Sequence, residues 1–423
     1  MKRSEHRGIE GGRQIMDRRQ AKELERRYRS CLLESVVPFW ERYSPDWERG
    51  GYLTCLERDG RVFDTDKFMW MQAREVWMFS RLCSRFGARE QWLRIASLGA
   101  EFLRRYGRDG EGNWYFSLDR EGRPLVAAYN IFSDCFAVLA LCEYASVTGK
   151  SWAMALAVET YWNIQNRKAY PKGRFTKQVV ENRPIRAMAL PMIQIDMGRE
   201  LARHHPDPRI EETIERSIHA ILTLHVDEER KTVFERVYAD GGHPDCMEGR
   251  LLSPGHACEV LWFILQVAAE REDRRLIDRI ADILLWTIRR GWDEEHGGIF
   301  YYMDAEGFPP EKLEWDMKLW WVHVESLYAF LLAYFWTGRK ELLDWFLRID
   351  AYCWDHFDDP EHGEWFGYLS RRGEVKLSLK GGKWKGFFHL PRALMLGADL
   401  LGRIAGEGLT SASGGDEEAA VGD

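Results

Sequence analysis

The sequence lacks the segments that would place a protein in a membrane or carry it across one. No part of its 423 residues approaches the roughly 18 uninterrupted apolar residues of a membrane-spanning helix. Residues 1–18 are polar and lack the apolar run of a secretory signal peptide. The eight cysteines are scattered through apolar segments, a pattern typical of reduced, buried thiols. We therefore expect a cytoplasmic protein without a membrane partner.

The sequence also lacks the common motifs for nucleotides, dinucleotides and zinc. It contains neither a Gly-x-x-x-x-Gly-Lys-Ser/Thr loop nor a Gly-x-Gly-x-x-Gly segment after a strand. Compact Cys/His zinc spacing is absent as well. The net charge of −7, without a lysine and arginine stripe, argues against a nucleic-acid partner. These absences predict chemistry that requires no metal and no nicotinamide or flavin cofactor.

Aromatic residues, by contrast, are abundant. The chain has 19 tryptophans and is 45% hydrophobic, enough to bury a large core. Buried indoles explain many of these residues, and aromatic walls of a sugar-binding cavity are the functional alternative.

A weak repeat runs through the chain. Each unit has a Gly- and aromatic-rich segment, a polar turn and an apolar helix, and helix starts lie about 55–70 residues apart, which gives six units. The copies fall at 50–82, 113–144, 186–201, 256–269, 297–335 and 363–401.

Amphipathic segments with charged faces alternate with these apolar helices, as at 274–290. Six such pairs predict an all-α fold, an (α/α)6 barrel of six inner and six outer helices with short β-hairpins at one mouth. We expect this single domain to span 19–405. Residues 1–18 are predicted to be mobile, and 406–423 to be a disordered acidic tail.

Histidines stand at equivalent places near the starts of three apolar helices. His256 and His389 are each followed three residues later by a charged residue, and His323 stands between them in the sequence. Histidine titrates near neutral pH, so one imidazole can act as a base while a second acts as an acid. The pattern predicts proton transfer at a carbon next to a carbonyl, with Arg74 or Arg392 stabilising the enolate oxygen.

Other interpretations of these residues stay open at this point. His323 lies in an aromatic cluster and is equally consistent with a packed residue behind the site. Arg74 and Glu75 are equally consistent with a buried ion pair. The His and acidic residues at 293–296 and 356–362 occupy matching polar turns of the repeat, so we interpret them as turns and predict no metal site.

Several blocks of the sequence follow one another in a recognisable order. They are 67–78, Pro254-Gly255-His256 with Glu259, 318–325, 363–369, and 380–392. Together they resemble the N-acylglucosamine 2-epimerase family over roughly residues 30–402. The resemblance implies an (α/α)6 barrel, commonly a homodimer, that interconverts N-acetyl-D-glucosamine and N-acetyl-D-mannosamine. In that reaction the sugar ring opens, one histidine takes the C2 proton, and a second histidine returns a proton to the opposite face.

The resemblance also assigns site residues. His256 and His389 match the family's catalytic pair. Predicted substrate-binding residues are Arg74, Glu259, Glu325, Arg392, Lys177, Trp320 and His323. The resemblance implies that no cofactor is required, although ATP activates some members without being consumed.

One departure from the family pattern bears on the substrate. Relatives that process mannose or cellobiose place another histidine at the start of the third inner helix, and residues 186–192 contain none. This favours an acylated amino sugar, with an epimerase or isomerase of free sugars as the alternative. Two further hypotheses remain: an (α/α)6 glycoside hydrolase that uses Asp134 and Glu325, and a barrel that binds a sugar or protein without chemistry.

Overall fold

The structure is a computed structural model that describes residues 16–169, 172, 175, 179 and 181–406. In this part of the chain the helices are α1 Arg18–Ser30, α2 Val37–Tyr43, α3 Met69–Phe86, α4 Glu90–Tyr106, α5 Phe132–Thr148, α6 Ser151–Arg167, α7 Ala189–His204, α8 Pro208–Ala220, α9 Pro254–Glu270, α10 Arg274–Gly291, α11 Trp320–Thr337, α12 Lys340–His356 and α13 His389–Gly406. Two π-helical segments, Cys31–Val36 and Ile221–His225, follow α1 and α8.

Two concentric rings of helices make up the barrel. Helices α3, α5, α7, α9, α11 and α13 form the inner ring, and each packs against the next in that order. The ring closes where Arg85 of α3 pairs with Asp399 of α13, with 2.6 Å between Nε and Oδ2. Helices α1 with α2, α4, α6, α8, α10 and α12 form the outer ring. The prediction of an all-α (α/α)6 barrel is confirmed.

Burial explains which helices take the inner positions. Every residue of α11 from 320 to 335 is buried, because this helix is covered on all sides. Outer helix α10 instead buries one stripe, with Ile277, Ile280 and Leu284 inside and its charged residues outside. Loops that precede inner helices therefore gather at one mouth of the barrel.

Short strands form a rim at this mouth. In the described part of the chain they are β1 Cys55–Leu56, β2 Val62–Asp64, β3 Lys67–Phe68, β4 Ser117–Leu118, β5 Pro124–Val126, β6 Ile185–Ala187, β7 Val226–Asp227, β8 Thr232–Val233, β9 Arg236–Tyr238, β10 Leu251–Leu252, β11 Met303–Asp304, β12 Lys318–Leu319, β13 Tyr368–Leu369 and β14 Val375–Leu377. Four of their pairings are local hairpins, as predicted: β1 with β2, β4 with β5, β7 with β8 and β13 with β14. The other four pairings join neighbouring units. Strand β12, for example, leads into α11 but pairs with β13 of the following unit, and β3 pairs with β4 of the next unit.

Three ion-pair groups, which we call the rim clamps, recur at this rim. In each, a fully buried lysine binds a buried aspartate, and an arginine from another loop binds the same aspartate. The lysine–aspartate distances are 3.0, 3.0 and 2.7 Å. The clamps are Lys67–Asp46–Arg120, Lys318–Asp293–Arg371 and Lys380–Asp359–Arg58.

The first described residues already pack against the barrel. Met16 is already buried, and its N–H donates to the hydroxyl of Tyr334 at 2.7 Å, so packing begins before residue 19. Residues 1–15 and 407–423, which hold most of the predicted mobile segment and acidic tail, lie outside the described residues. None of the described helices is long and apolar enough to span a membrane.

Candidate active site

His256 stands in the first turn of inner helix α9. The helix begins here because Ser253 caps it, accepting the N–H of His256 at 3.5 Å, and Pro254 occupies the first helical position. Glu259 follows one turn later on the same face. The spacing of three that was read from the sequence therefore places both side chains at the mouth of the barrel.

Glu235 holds the imidazole of His256. This residue lies between β8 and β9, and both of its carboxylate oxygens are 3.1 Å from Nδ1 of His256. A carboxylate can only accept, so Nδ1 carries the hydrogen and Nε2 is the remaining nitrogen. Burial would lower the pKa of His256, but the negative charges of Glu235 and Glu259 outweigh it and raise this pKa above the usual value.

His389 is the first residue of α13, and its imidazole is held in the same way. Its Nδ1 lies 2.6 Å from Oε1 of Glu325, which comes from α11. Nδ1 therefore donates, and Nε2 is again the remaining nitrogen. Burial and the positive charges of Arg74 and Arg392 hold the pKa of His389 well below its usual value, despite the contact with Glu325.

Arg392 joins the carboxylates beneath the two histidines. One of its nitrogens, Nη2, lies 2.8 Å from Glu259 Oε1 and 2.7 Å from Glu325 Oε1. Its Nη1 lies 3.7 Å from Asp196 of α7. Trp262 donates its indole N–H to the other oxygen of Glu325 at 2.9 Å. Arg392 is thus surrounded by carboxylates, which raise its pKa.

Arg74 is a second buried cation, but none of the described residues places a carboxylate against it. Its guanidinium lies between three aromatic rings, at 4.8 Å from Trp70, 4.0 Å from Phe136 and 4.9 Å from Phe388. Nε is buried without a hydrogen-bond partner. Burial lowers the pKa of Arg74 to about 9. An unpaired guanidinium that feels the charges of Glu259 and Glu325 is suited to bind an anionic oxygen.

Trp321 links the two histidines. Its ring centroid lies 5.0 Å from that of His256 and 5.9 Å from that of His389. Trp320, its neighbour, packs edge-on against His389 at 6.3 Å and against Tyr368 at 5.3 Å. The two imidazoles therefore border one aromatic surface at the barrel mouth, as a sugar site requires.

The structure corrects the prediction that His323 binds substrate. Nε2 accepts the N–H of Ile299 at 2.9 Å, and Nδ1 donates to the carbonyl of Leu319 at 2.7 Å. Its ring stacks on Tyr352 of outer helix α12. Residues two apart on a helix face directions about 200° apart, so His323 points outward where Glu325 points inward. The interpretation of His323 as a packed residue is confirmed.

The structure also decides between the two interpretations of Arg74. The buried carboxylate of Glu75 forms no ion pair with Arg74 or with any other described residue. Burial raises the pKa of Glu75 to about 8, which keeps it protonated near neutral pH. The predicted contact at Lys177 lies outside the described residues.

Glu235, Trp321, Trp262 and Asp196 are site residues that sequence reasoning missed. Glu235 is 21 residues from His256. Asp196 lies in the third unit, whose inner helix has no histidine near its start. One signal was available, because Trp321 is adjacent to the predicted Trp320. The other contacts join residues at least 21 positions apart in the chain and therefore carry no local spacing.

Ligand-type side chains converge in two places within the described chain. The groups are Glu259 with Glu325 and His389, and Glu143 with Glu200 and His204. In the first, Arg392 donates to the carboxylate oxygens that face the group. In the second, Arg81 donates to Glu143 at 2.9 Å and lies 3.7 Å from Glu200. A guanidinium thus offsets part of the negative charge of each group.

Known proteins resemble this chain in sequence and in fold. A sequence profile described as N-acylglucosamine 2-epimerase (GlcNAc 2-epimerase) matches residues 51–393. The N-acylglucosamine 2-epimerase of Mus musculus is 40% identical over 381 residues, covering 88% of this chain and 90% of the mouse protein. The chain belongs to the N-acylglucosamine 2-epimerase family. Membership places it among isomerases that act on carbohydrates.

More distant relatives extend the likeness. A cellobiose 2-epimerase of Dictyoglomus turgidum is 26% identical over 380 residues, covering 85% of this chain and 94% of that protein. The structure of cellobiose 2-epimerase from Spirochaeta thermophila superposes with a TM-score of 0.78 at 22% identity, covering 92% of this chain and 98% of that one. At this identity the superposition supports the family's barrel fold.

Proposed function

We propose that this chain interconverts N-acetyl-D-glucosamine and N-acetyl-D-mannosamine by exchanging the proton at C2. One observation carries the proposal. Two imidazoles, His256 and His389, border the same tryptophan ring, and each is held at Nδ1 by its own carboxylate. Two bases on one cavity are what inversion of a carbon by proton transfer requires.

The reaction begins with the open-chain sugar, whose C1 aldehyde makes the C2 proton acidic. The neutral imidazole takes this proton on Nε2, and the electrons of the C2–H bond move towards the C1 oxygen to form an enolate. The other imidazole, protonated, then delivers its proton to the opposite face of C2. The two histidines end with their protonation states exchanged, and proton exchange with solvent restores the starting state.

The enolate oxygen needs a cation, and the structure distinguishes the two candidates. Arg392 already binds Glu259 and Glu325, so we assign it to holding the carboxylates in place. Arg74 has an unpaired, buried guanidinium, so we assign it to the developing negative charge on O1.

The nearest alternative is an epimerase or isomerase of free sugars such as mannose or cellobiose. Helix α7 begins at Ala189 directly after β6, and residues 185–192 provide no histidine there. Together with the 40% identity to an N-acylglucosamine 2-epimerase, this favours the acylated amino sugar.

The hydrolase hypothesis has less support. Asp134 pairs with Arg167, and its carboxylate also accepts the N–H of Trp114. Glu325 is occupied by His389, Arg392 and Trp262. Because both oxygens of Glu325 are committed to these partners, the site lacks the second available carboxylate that a glycosidase requires.

Further parts of the proposal follow the family resemblance. We propose a cofactor-independent reaction, with ATP as an activator that is not consumed, and a homodimeric protein. A cytoplasmic location is supported by the cysteines, because all eight are free and seven are buried.

Proton NMR in D2O tests the proposed function. Purified protein is incubated with N-acetylmannosamine, with mannose and with cellobiose, each with and without ATP and with and without EDTA. We expect N-acetylglucosamine that carries deuterium at C2, unchanged by EDTA. Conversion of mannose or cellobiose alone would favour the alternative, and no change in any sugar would contradict the epimerase proposal.

A further inference from the structure

The two carboxylates that hold the histidines differ in what else they bind. Glu325 divides its charge among His389, Arg392 and Trp262. The carboxylate of Glu235 has both oxygens on Nδ1 of His256, and the contacts of the described residues show no arginine or lysine on it. The negative charge of Glu235 is therefore available to one imidazole.

Glu235 is held rigidly enough to fix a hydrogen-bond direction. Its backbone N–H donates to the carbonyl of Leu251 at 3.2 Å, and its own carbonyl accepts the N–H of Met188 at 2.9 Å. Its neighbour Phe234 is fully buried in a small apolar cluster. The residue itself is only 7% exposed. A buried carboxylate on such a backbone positions its partner with little freedom.

The charged surroundings of the two imidazoles also differ. Around His256 the charges are Glu235 and Glu259, with the neutral hydroxyls of Tyr301 and Tyr302 near Glu235. His389 faces Arg74 and Arg392 as well as Glu259 and Glu325. Like charges repel and opposite charges attract, so a single proton shared by the two histidines is bound more strongly by His256 than by His389.

We propose that Glu235 is a positioning residue of the epimerase, which fixes the tautomer of His256 and makes this histidine the proton donor of the pair in the free protein. His389 is then the resident base. The sugar whose C2–H faces His389 meets the protein in its reactive state. The other epimer reacts with the minor state, in which the proton has moved to His389. This inference rests on the proposed function.

Substitution of Glu235 gives the test, with epimerisation measured from about pH 5 to pH 9. We expect Glu235→Gln to lower kcat/KM at neutral pH by roughly 10–100-fold. The alkaline limb of the profile should move down by about one pH unit, because His256 loses the charge that favours its protonated form. Glu235→Asp, which keeps the charge, should restore part of this shift.

Glu248→Gln is the matched control. Glu248 pairs with Arg236, the residue next to Glu235, and has no contact with His256. We expect it to keep the wild-type pH profile. A purely structural role for Glu235 predicts instead that Glu235→Gln and Glu235→Asp both lose activity while the pH profile stays unmoved. That result would overturn the proposal.

A second measurement does not depend on catalysis. In protein labelled with 15N-histidine, we expect the His256 signal, assigned by its loss in His256→Asn, to titrate at higher pH than the His389 signal. Glu235→Gln should reverse or abolish this order. Unchanged order would contradict the role of Glu235, whereas wild-type protein that exchanges no C2 proton in either sugar would contradict the proposed function itself.

Discussion

The rim clamps and the histidine site use the same kinds of side chain for different purposes. In each clamp one aspartate meets two cations, and the group recurs three times with the same backbone. Asp46, Asp293 and Asp359 each accept, on the backbone carbonyl, the N–H of the glycine four residues on, at 2.8–2.9 Å. The cations lower the pKa of Asp46 and Asp293 to about 2. Such groups are saturated and have nothing left for a ligand.

The histidine site is built without such saturation. Arg74 has no carboxylate partner among the described residues, and the two histidines have pKa values shifted in opposite directions. Glu325 reaches His389 from α11, whereas Glu235 reaches His256 from the segment that precedes α9, so the site does not repeat although the barrel does. The repeated ion pairs therefore stabilise the mouth of the barrel, whereas the residues that differ from unit to unit form the candidate active site.

The largest expected effect is on the histidine site. His389→Asn should lower epimerisation by roughly 10²–10⁴-fold in both directions, because the reaction loses one of two bases. Deuterium should still enter from D2O into the epimer whose C2–H faces His256. NMR of each epimer measures both rates, and circular dichroism checks the fold. Equal loss of exchange from both epimers would contradict divided roles for the histidines.

The clamps should show the opposite result. Lys67→Met removes a fully buried partner of Asp46 and should lower the free energy of unfolding by about 3–5 kcal/mol. The lower end is expected because Arg120 still binds Asp46. Urea unfolding measures the loss, and kcat per folded molecule should stay near wild type. A large fall in kcat with unchanged stability would break the comparison.

Glu75 sharpens the comparison, because it adjoins Arg74 in sequence but has no part in the site. Its pKa of about 8 lies above the usual value, so the folded protein keeps a proton that the unfolded chain releases. Stability from this group is full below about pH 4.5 and is lost as pH rises towards 8. Glu75→Gln should therefore gain stability over wild type with rising pH, roughly 3 kcal/mol near pH 7. Urea unfolding at several pH values tests this, with Glu229→Gln as an exposed-site control.

The smallest effect is expected at His323, on the pH dependence of the free energy of unfolding. Burial lowers its pKa to about 3, so the unfolded chain binds a proton here that the folded protein refuses. Stability from this group is present above about pH 6.5 and is lost as pH falls towards 3. We expect a loss of about 1 kcal/mol between pH 6 and pH 5 that is absent in His323→Gln. Equal pH slopes for both proteins, together with a large loss of kcat in the variant, would reinstate His323 as a site residue.

Much of the fold could be predicted from the sequence, since it depends on local patterns. Helical spacing distinguished inner from outer helices, as α11 and α10 show. The exception was the part of the rim where strands join neighbouring units. Strand β12 pairs with β13 about 50 residues later, and two-residue strands carry too little pattern to reveal their partner.

The sequence by itself determined the barrel and the residues that stand at the starts of its inner helices. His256 with Glu259 and His389 with Arg392 share a face because three residues make nearly one helical turn. Only the tertiary structure decided which nitrogen of each imidazole is free, which arginine is unpaired, and that Glu235 belongs to the site. Hydrogen bonding and charge depend on neighbours through space and on burial, which no spacing along the chain records.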